Sequence, residues 1–101
     1  MRLRKEDVRG ILDAAQAVFG NDVIVRLFGS RTDDSKRGGD IDLHVTVRNT
    51  ALTDTAYEVQ FRKALEKNIG ERKVDILIMA KDSTPSTIEK IALATGIILT
   101  L

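Results

Sequence analysis

The sequence predicts an α+β fold, with a mixed β-sheet, helices packed on one face, and carboxylates on the other, open face. Three observations carry this. Apolar residues recur at three- and four-residue steps in three segments and alternate at period two in three others, in the order α-β-β-α-β-α. The first two strands are joined by a polar loop with no room for a helix, which makes them antiparallel neighbours. The second and third are joined through a helical segment long enough for a crossover.

The first helix spans about Arg4 to Phe19. Val8, Ile11, Leu12, Ala15, Val18 and Phe19 mark one face, and Gly20 is its stop. Asn21-Asp22 turns the chain into a first strand, Val23 to Phe28, rich in β-branched and aromatic residues. Gly29-Ser30 ends that strand. Arg31 to Gly39 is a polar loop, and Gly38-Gly39 gives backbone freedom before the second strand, Asp40 to Val47.

Asn49 to Asp54 is a turn carrying helix-capping residues. A second helix runs from there to about Asn68 and stops at Gly70. Ala56 and Val59 form one apolar edge of it; Tyr57, Phe61, Ala64 and Leu65 form another. The third strand is Arg72 to Met79, with Val74, Ile76 and Ile78 on one face and Asp75 on the other. Thr84-Pro85 reads as N-cap and first residue of a third helix striped by Ile88, Ile91 and Ala92, stopping at Gly96. Ile97 to Leu101 is either a short final strand or an apolar tail docked on the sheet.

The 101 residues suffice for one domain with one core, so residues 1–101 are expected to form a single unit. A charged fraction of 31% with 43% apolar residues fits a soluble globular protein and argues against disorder. The net charge of +1 gives no electrostatic basis for sequence-independent nucleic-acid binding. With no cysteine there is no disulfide, thiolate metal site or cysteine nucleophile, which fits a cytoplasmic protein. No apolar run approaches bilayer length, and the charged N-terminus lacks the apolar segment of a signal peptide.

The chemistry concentrates between Leu27 and Val47. Asp40 and Asp42 are two residues apart, so in a strand both carboxylates share one side while Ile41, Leu43, Val45 and Val47 share the other. Like charges about 7 Å apart along a strand repel, and a cation between them relieves that. Asp75, flanked by Val74 and Ile76, is a third acid on the polar side of an apolar strand. A charge buried there needs a partner: Arg26 and His44 are candidates, and a metal explains all three acids together. Hard oxygen ligands without a histidine or cysteine cluster favour Mg²⁺ or Mn²⁺, whose shell is commonly completed by phosphate and water.

Gly29 at a strand end lets backbone approach a ligand closely, and its N–H and that of Ser30 suit phosphate oxygens. The Ser30 hydroxyl adds a donor, and Arg31 offers either a phosphate contact or a surface ion pair with Asp33 or Asp34. Gly-Ser alone is an ordinary turn; joined to Asp-x-Asp and a later strand aspartate it is specific. His44 shares the Asp42 side of its strand, where a packed or hydrogen-bonded side chain is the simpler reading. It is the sole histidine and no acyl-transfer motif surrounds it, so there is no case for a Ser-His-Asp triad. Tyr57, Phe61 and the isoleucines of the third helix read most simply as core.

GSRTDDSKRGGDID followed by KVDILI resembles the minimal nucleotidyltransferases of the DNA polymerase β superfamily, including those paired with HEPN-domain proteins. The resemblance covers nearly the whole chain. It implies the polymerase β-like fold and transfer of an NMP from an NTP to an acceptor hydroxyl with release of pyrophosphate; AMP from ATP is the expected case. By the same resemblance Gly29 and Ser30 contact the triphosphate, with Arg31 a third nucleotide-binding candidate from its own charge. Asp40, Asp42 and Asp75 are catalytic and bind two Mg²⁺ ions, with Mn²⁺ as the alternative. The loop between Ser30 and Asp40 is slightly shorter than the family's usual one, a variation loops tolerate if both ends keep their geometry.

With one core taking up the 101 residues, the second domain of larger nucleotidyltransferases is not expected here. The family's answer is a small helical HEPN partner, in pairs that behave as toxin and antitoxin. The alternative is a catalytically silent nucleotide- or partner-binding module that acts by occlusion. An open face and exposed sheet edges also lead us to expect a homo- or hetero-oligomer.

Overall fold

The computed structural model describes residues 3–29 and 41–101. The expected strand-to-strand loop and the candidate residues Ser30, Arg31 and Asp40 lie outside the described residues. The elements run α1 (Lys5–Phe19), β1 (Ile24–Phe28), β2 (Ile41–Val47), α2 (Thr55–Ile69), β3 (Val74–Ala80), α3 (Thr87–Thr95) and β4 (Ile97–Ile98). The strands form one mixed sheet in the order β3-β2-β1-β4. β1 pairs antiparallel with β2 and with β4, while β2 and β3 pair parallel across the α2 connection. The mixed sheet and the α+β class are as the sequence predicts, and the last apolar segment resolves into the short strand β4.

Strand alternation divides the sheet into two chemically different faces. Val25 and Leu27 of β1, Ile41, Leu43, Val45 and Val47 of β2, and Val74 of β3 join one buried cluster with Val8, Ile11, Ala15 and Phe19 of α1 and Phe61 and Leu65 of α2. Phe19 meets Phe61 edge-on, with ring centroids 5.4 Å apart. Of the two apolar edges expected on α2, the one carrying Phe61 and Leu65 is buried, and Ala56 and Val59 are exposed.

α1 and α2 approach closely because α1 carries Gly10 at the crossing. A Cβ there would lie 2.7 Å from Ile69 Cγ2, and Asn68 Nδ2 donates to the Gly10 carbonyl at 3.0 Å. The start of α1 is tied to the turn before β3 by a part-buried pair: Arg72 Nη1 and Nη2 donate to the two carboxylate oxygens of the buried Asp7 at 3.2 and 3.1 Å. Arg72 is thereby used ahead of the strand, which begins at Val74 and not at Arg72. α2 is capped by Asp54, whose side chain accepts from Ala56 N–H at 2.8 Å, and it ends at Gly70 with φ +84°.

Two expectations about the third helix are corrected. It is capped by Ser86, not Thr84: Ser86 Oγ accepts from Glu89 N–H at 3.3 Å while Glu89 Oε1 accepts from Ser86 N–H at 2.8 Å. This reciprocal box satisfies two end donors together and outcompetes the Thr-Pro signal two residues earlier. The isoleucine stripe is also not core, since Ile88 and Ile91 are 53% and 55% exposed and only Ala92 is buried.

α1 and α2 cover the apolar face as expected. α3 instead touches β1 and β2 on the other face, where a Cβ on Gly96 would lie 3.2 Å from Arg26 Cβ. Among the described residues the second face is therefore covered at one end and open at the other.

Candidate active site

The polar face carries Arg26 and Phe28 from β1, Asp42, His44 and Thr46 from β2, and Asp75, Leu77 and Met79 from β3. Register sets their neighbours: Phe28 and Arg26 are the Cα partners of Asp42 and His44, and Asp42 is the Cα partner of Asp75. Two strands far apart in sequence thus deliver two carboxylates to adjacent positions on one face. Asp42 is partly exposed and Asp75 exposed. The exposure of Asp75 corrects one expectation. It is the second residue of an edge strand, so it stays hydrated, and no desolvation penalty demands a partner for it. What remains is like-charge adjacency, which is closer across the strands than along either one.

Gly29 immediately follows β1 with φ +74°, a left-handed conformation that favours glycine. Its missing side chain has a second consequence. A Cβ built on Gly29 would collide with Asp42 Oδ2 and stand 3.1 Å from Asp42 Cγ. The turn and the carboxylate therefore occupy one small space, which a side chain would take from Asp42. Of the six candidate residues, the described ones (Gly29, Asp42 and Asp75) lie together at one end of the polar face.

Further along that face, Arg26 Nη1 donates to Thr46 Oγ1 at 3.2 Å. His44 is 0% exposed, and neither ring nitrogen has a hydrogen-bond partner among the described residues. Burial first, then the positive charge of Arg26, holds its imidazole below the ordinary value, with Glu89 of α3 acting in the opposite direction. His44 is thus a neutral ring under α3, not a surface group lining the site. Its alternation with Leu43 and Val45 shows which face it takes, but not the helix that covers it.

Another contact near the acids had no sequence signal: Arg62 of α2 bonds the Val74 carbonyl at 2.7 Å, next to Asp75. Concavities of about 270 and 530 Å³ lie on the helical side, lined by residues such as Arg62 and Val74 or Arg9 and Asn68, and neither includes Asp42 or Asp75. Among the described residues no three acidic, histidine or cysteine side chains gather in a metal-sized group. The two adjacent carboxylates nonetheless suit a divalent cation chemically, since both are hard oxygen donors whose charges oppose each other without one.

A strand ending in a glycine turn, beside a carboxylate on the next strand and another on its parallel neighbour, is an arrangement suited to phosphate and cation together. The profile of the family described as polymerase beta, nucleotidyltransferase, matches residues 15–100. The chain belongs to that family. Its mixed four-stranded sheet and three helices are consistent with the nucleotidyltransferase fold. Membership supports the family's general chemistry, nucleotidyl transfer from a nucleoside triphosphate. A search of curated proteins found no match. No helix among the described residues is long and apolar enough to cross a membrane.

Proposed function

We propose that this chain is a Mg²⁺-dependent nucleotidyltransferase that moves AMP from ATP to a hydroxyl of a small helical HEPN-type partner, in a toxin–antitoxin-like pair. The observation that carries the reading is the direct pairing of Asp42 with Asp75 beside the Gly29 turn, in a member of this family. In this reading residues 1–101 act as one domain in the cytoplasm. Asp40, Asp42 and Asp75 are the metal-binding and catalytic carboxylates, and Gly29, Ser30 and Arg31 hold the triphosphate.

Two Mg²⁺ ions, or Mn²⁺ in their place, would offset the triphosphate charge and ease ionisation of the acceptor hydroxyl. The chain's own residues do the rest. The Gly29 turn keeps the triphosphate close to this end of the sheet. The acceptor oxygen bonds to the α-phosphorus as the bond from that phosphorus to the bridging oxygen breaks, pyrophosphate departs, and the Asp75 carboxylate receives the hydroxyl proton. Asp75 suits that role because it is exposed and reachable by a macromolecular acceptor.

Labelled ATP incubated with the chain and its candidate partner tests this. Label carried covalently by the partner supports the enzyme; a tight complex without transfer supports the silent, occluding module. Ile88, Ile91, Ile97, Ile98 and Leu101 are exposed on and beside α3 and β4, and a partner would cover them whether or not turnover occurs. A homo- or hetero-oligomer is expected as well, and light scattering that finds only monomers, with and without the partner, contradicts that expectation.

A further inference from the structure

Among the described residues β3 is an outer strand of the sheet, and its second residue is Asp75. The ladder fixes which way its backbone faces. Ile41 N–H donates to the Lys73 carbonyl at 3.0 Å, and Lys81 N–H donates to the Val47 carbonyl at 2.7 Å. Along a strand such bonds fall on alternate residues. The odd positions from Lys73 to Lys81 therefore face β2, and Val74, Ile76 and Ile78 direct N–H and C=O off the free edge. Val74 shows this directly, since its carbonyl accepts from Arg62 Nη1 of α2 at 2.7 Å. At the other end the Ala80 carbonyl accepts from Ser83 N–H and Oγ at 3.1 and 2.9 Å. Between them, the outward main-chain groups of Ile76 and Ile78 have no partner among the described residues.

Proteins commonly blunt an exposed strand edge with lysine, proline, a bulge or a very short strand. β3 uses none of these. It has seven residues, VDILIMA, paired with β2 without a break from Val74 to Ala80. At the sheet's other border β4 has only two residues. The one charge within β3 is Asp75, at the end that carries the candidate site.

An open edge can take an extended segment as a further strand through main-chain hydrogen bonds. Parity then decides what meets Asp75. Its own N–H and C=O face β2, so against an added antiparallel strand it holds a non-hydrogen-bonded position, where Cα atoms approach to about 4.5 Å and side chains are closest. A hydroxyl-bearing residue opposite it shares its face and lies beside its carboxylate. Leu77 on that face, and Ile76 and Ile78 on the other, are half-buried and favour apolar neighbours for that residue. A second copy suits the edge less. Two β3 strands paired over all seven residues would set Asp75 against Met79, covering an acid with an apolar side chain.

We propose that the free edge of β3 is the docking surface for the acceptor: an extended, mainly apolar segment of the partner protein adds as a new outer strand, antiparallel to β3, with its hydroxyl-bearing residue opposite Asp75. The inference rests on the reading of Asp75 as the carboxylate that receives the acceptor proton.

Amide hydrogen exchange read residue by residue tests the docking apart from the chemistry. The probe is the candidate HEPN-type partner, added to the full chain with Mg²⁺ and a non-hydrolysable ATP analogue; labelled ATP replaces the analogue for the transfer assay. In the chain alone the Ile76 and Ile78 amides should exchange rapidly and those of Asp75, Leu77 and Met79 slowly. The partner should slow the first two by about tenfold or more and leave the other three unchanged. Ile76→Pro removes one outward N–H and spares the ladder to β2, so it should raise KM for the partner about tenfold with kcat nearly unchanged. Transfer without protection of Ile76 and Ile78, or with KM unchanged in Ile76→Pro, overturns the docking surface and leaves the enzyme standing. Protection without transfer supports the docking surface and overturns the enzyme. Protection that arises in the concentrated chain without partner assigns the edge to a second copy and overturns the proposal. Neither protection nor transfer overturns both. If Ile76→Pro does not fold, the exchange comparison on the unaltered chain decides alone.

Discussion

Asp42 and Asp75 are Cα partners in the parallel β2–β3 pair, on the face of the sheet away from the main core. Nothing local in the chain brings them together. The α2 crossover returns β3 parallel to β2, and the register then sets acid beside acid. Replacing either by asparagine removes the like-charge contact without changing shape. We therefore expect Asp42→Asn and Asp75→Asn to melt at or slightly above the wild-type temperature without metal. Nucleotidyl transfer should fall by about two to three orders of magnitude, the scale of losing one charge-stabilising group at a reaction centre. Calorimetric melting and a transfer assay on the same samples check both halves.

Gly29 should not tolerate a side chain. At φ +74° an alanine is strained by about 1–2 kcal/mol, and its methyl would also strike the Asp42 carboxylate. Gly29→Ala is expected to melt several degrees lower and to weaken nucleotide binding in Mg²⁺ more than Ser or Ala replacements of exposed residues elsewhere. Denaturant melts and isothermal titration with ATP measure the two effects.

Gly10 sets helix propensity against packing. Gly→Ala inside a helix gains about 1 kcal/mol of propensity. Here the new methyl would meet Ile69 Cγ2 at 2.7 Å and Asn68 O at 3.3 Å. Ile69 is branched at its β-carbon and Asn68 O is backbone, so neither yields easily, and overpacking costs about 1–3 kcal/mol. Packing should win. Gly10→Ala is expected to lower the urea midpoint, and a rise would mean that α1 and α2 separate freely.

The Asp7–Arg72 pair predicts an acid-sensitive contact. Burial on its own raises the Asp7 pKa, but the hydrogen bonds and charge of Arg72, with smaller help from Arg4, bring it below its ordinary value of 3.8. A carboxyl whose pKa is depressed on folding stabilises the fold above the unfolded-state value, and that stabilisation is lost as pH falls through the folded-state value. Between pH 7 and about 4 the contribution should be constant. Below that, wild type should lose stability faster than Asp7→Asn, whose own loss of about 1–3 kcal/mol is already present at neutral pH. Melting temperature against pH for the two proteins checks the sign.

Much of this was legible in the sequence because period-two alternation and the helix in the second crossover determine both face and strand direction. Asp42 and Asp75 could be assigned to one face from Ile41, Leu43, Val74 and Ile76 alone. Exposure could not be read the same way. Val74 and Ile76 made Asp75 look interior, but β3 is an edge strand and leaves it open. The α3 start was obscured because Thr84-Pro85 and Ser86-x-x-Glu89 both satisfy capping rules, and only the second closes a reciprocal pair. Ile88 and Ile91 have core composition without core placement, since α3 presents Ala92 to the sheet. The burial of His44 follows from α3 lying on the polar face, a tertiary choice that no local periodicity encodes.

The most direct measurement is a crystal structure with Mn²⁺ and a non-hydrolysable ATP analogue, with manganese located by its anomalous scattering. The account predicts a manganese peak about 2.0–2.2 Å from carboxylate oxygens of both Asp42 and Asp75, with the nucleotide phosphates against Gly29. Nucleotide bound with manganese elsewhere, or an Asp75 that ligates nothing while Asp42 does, would contradict it.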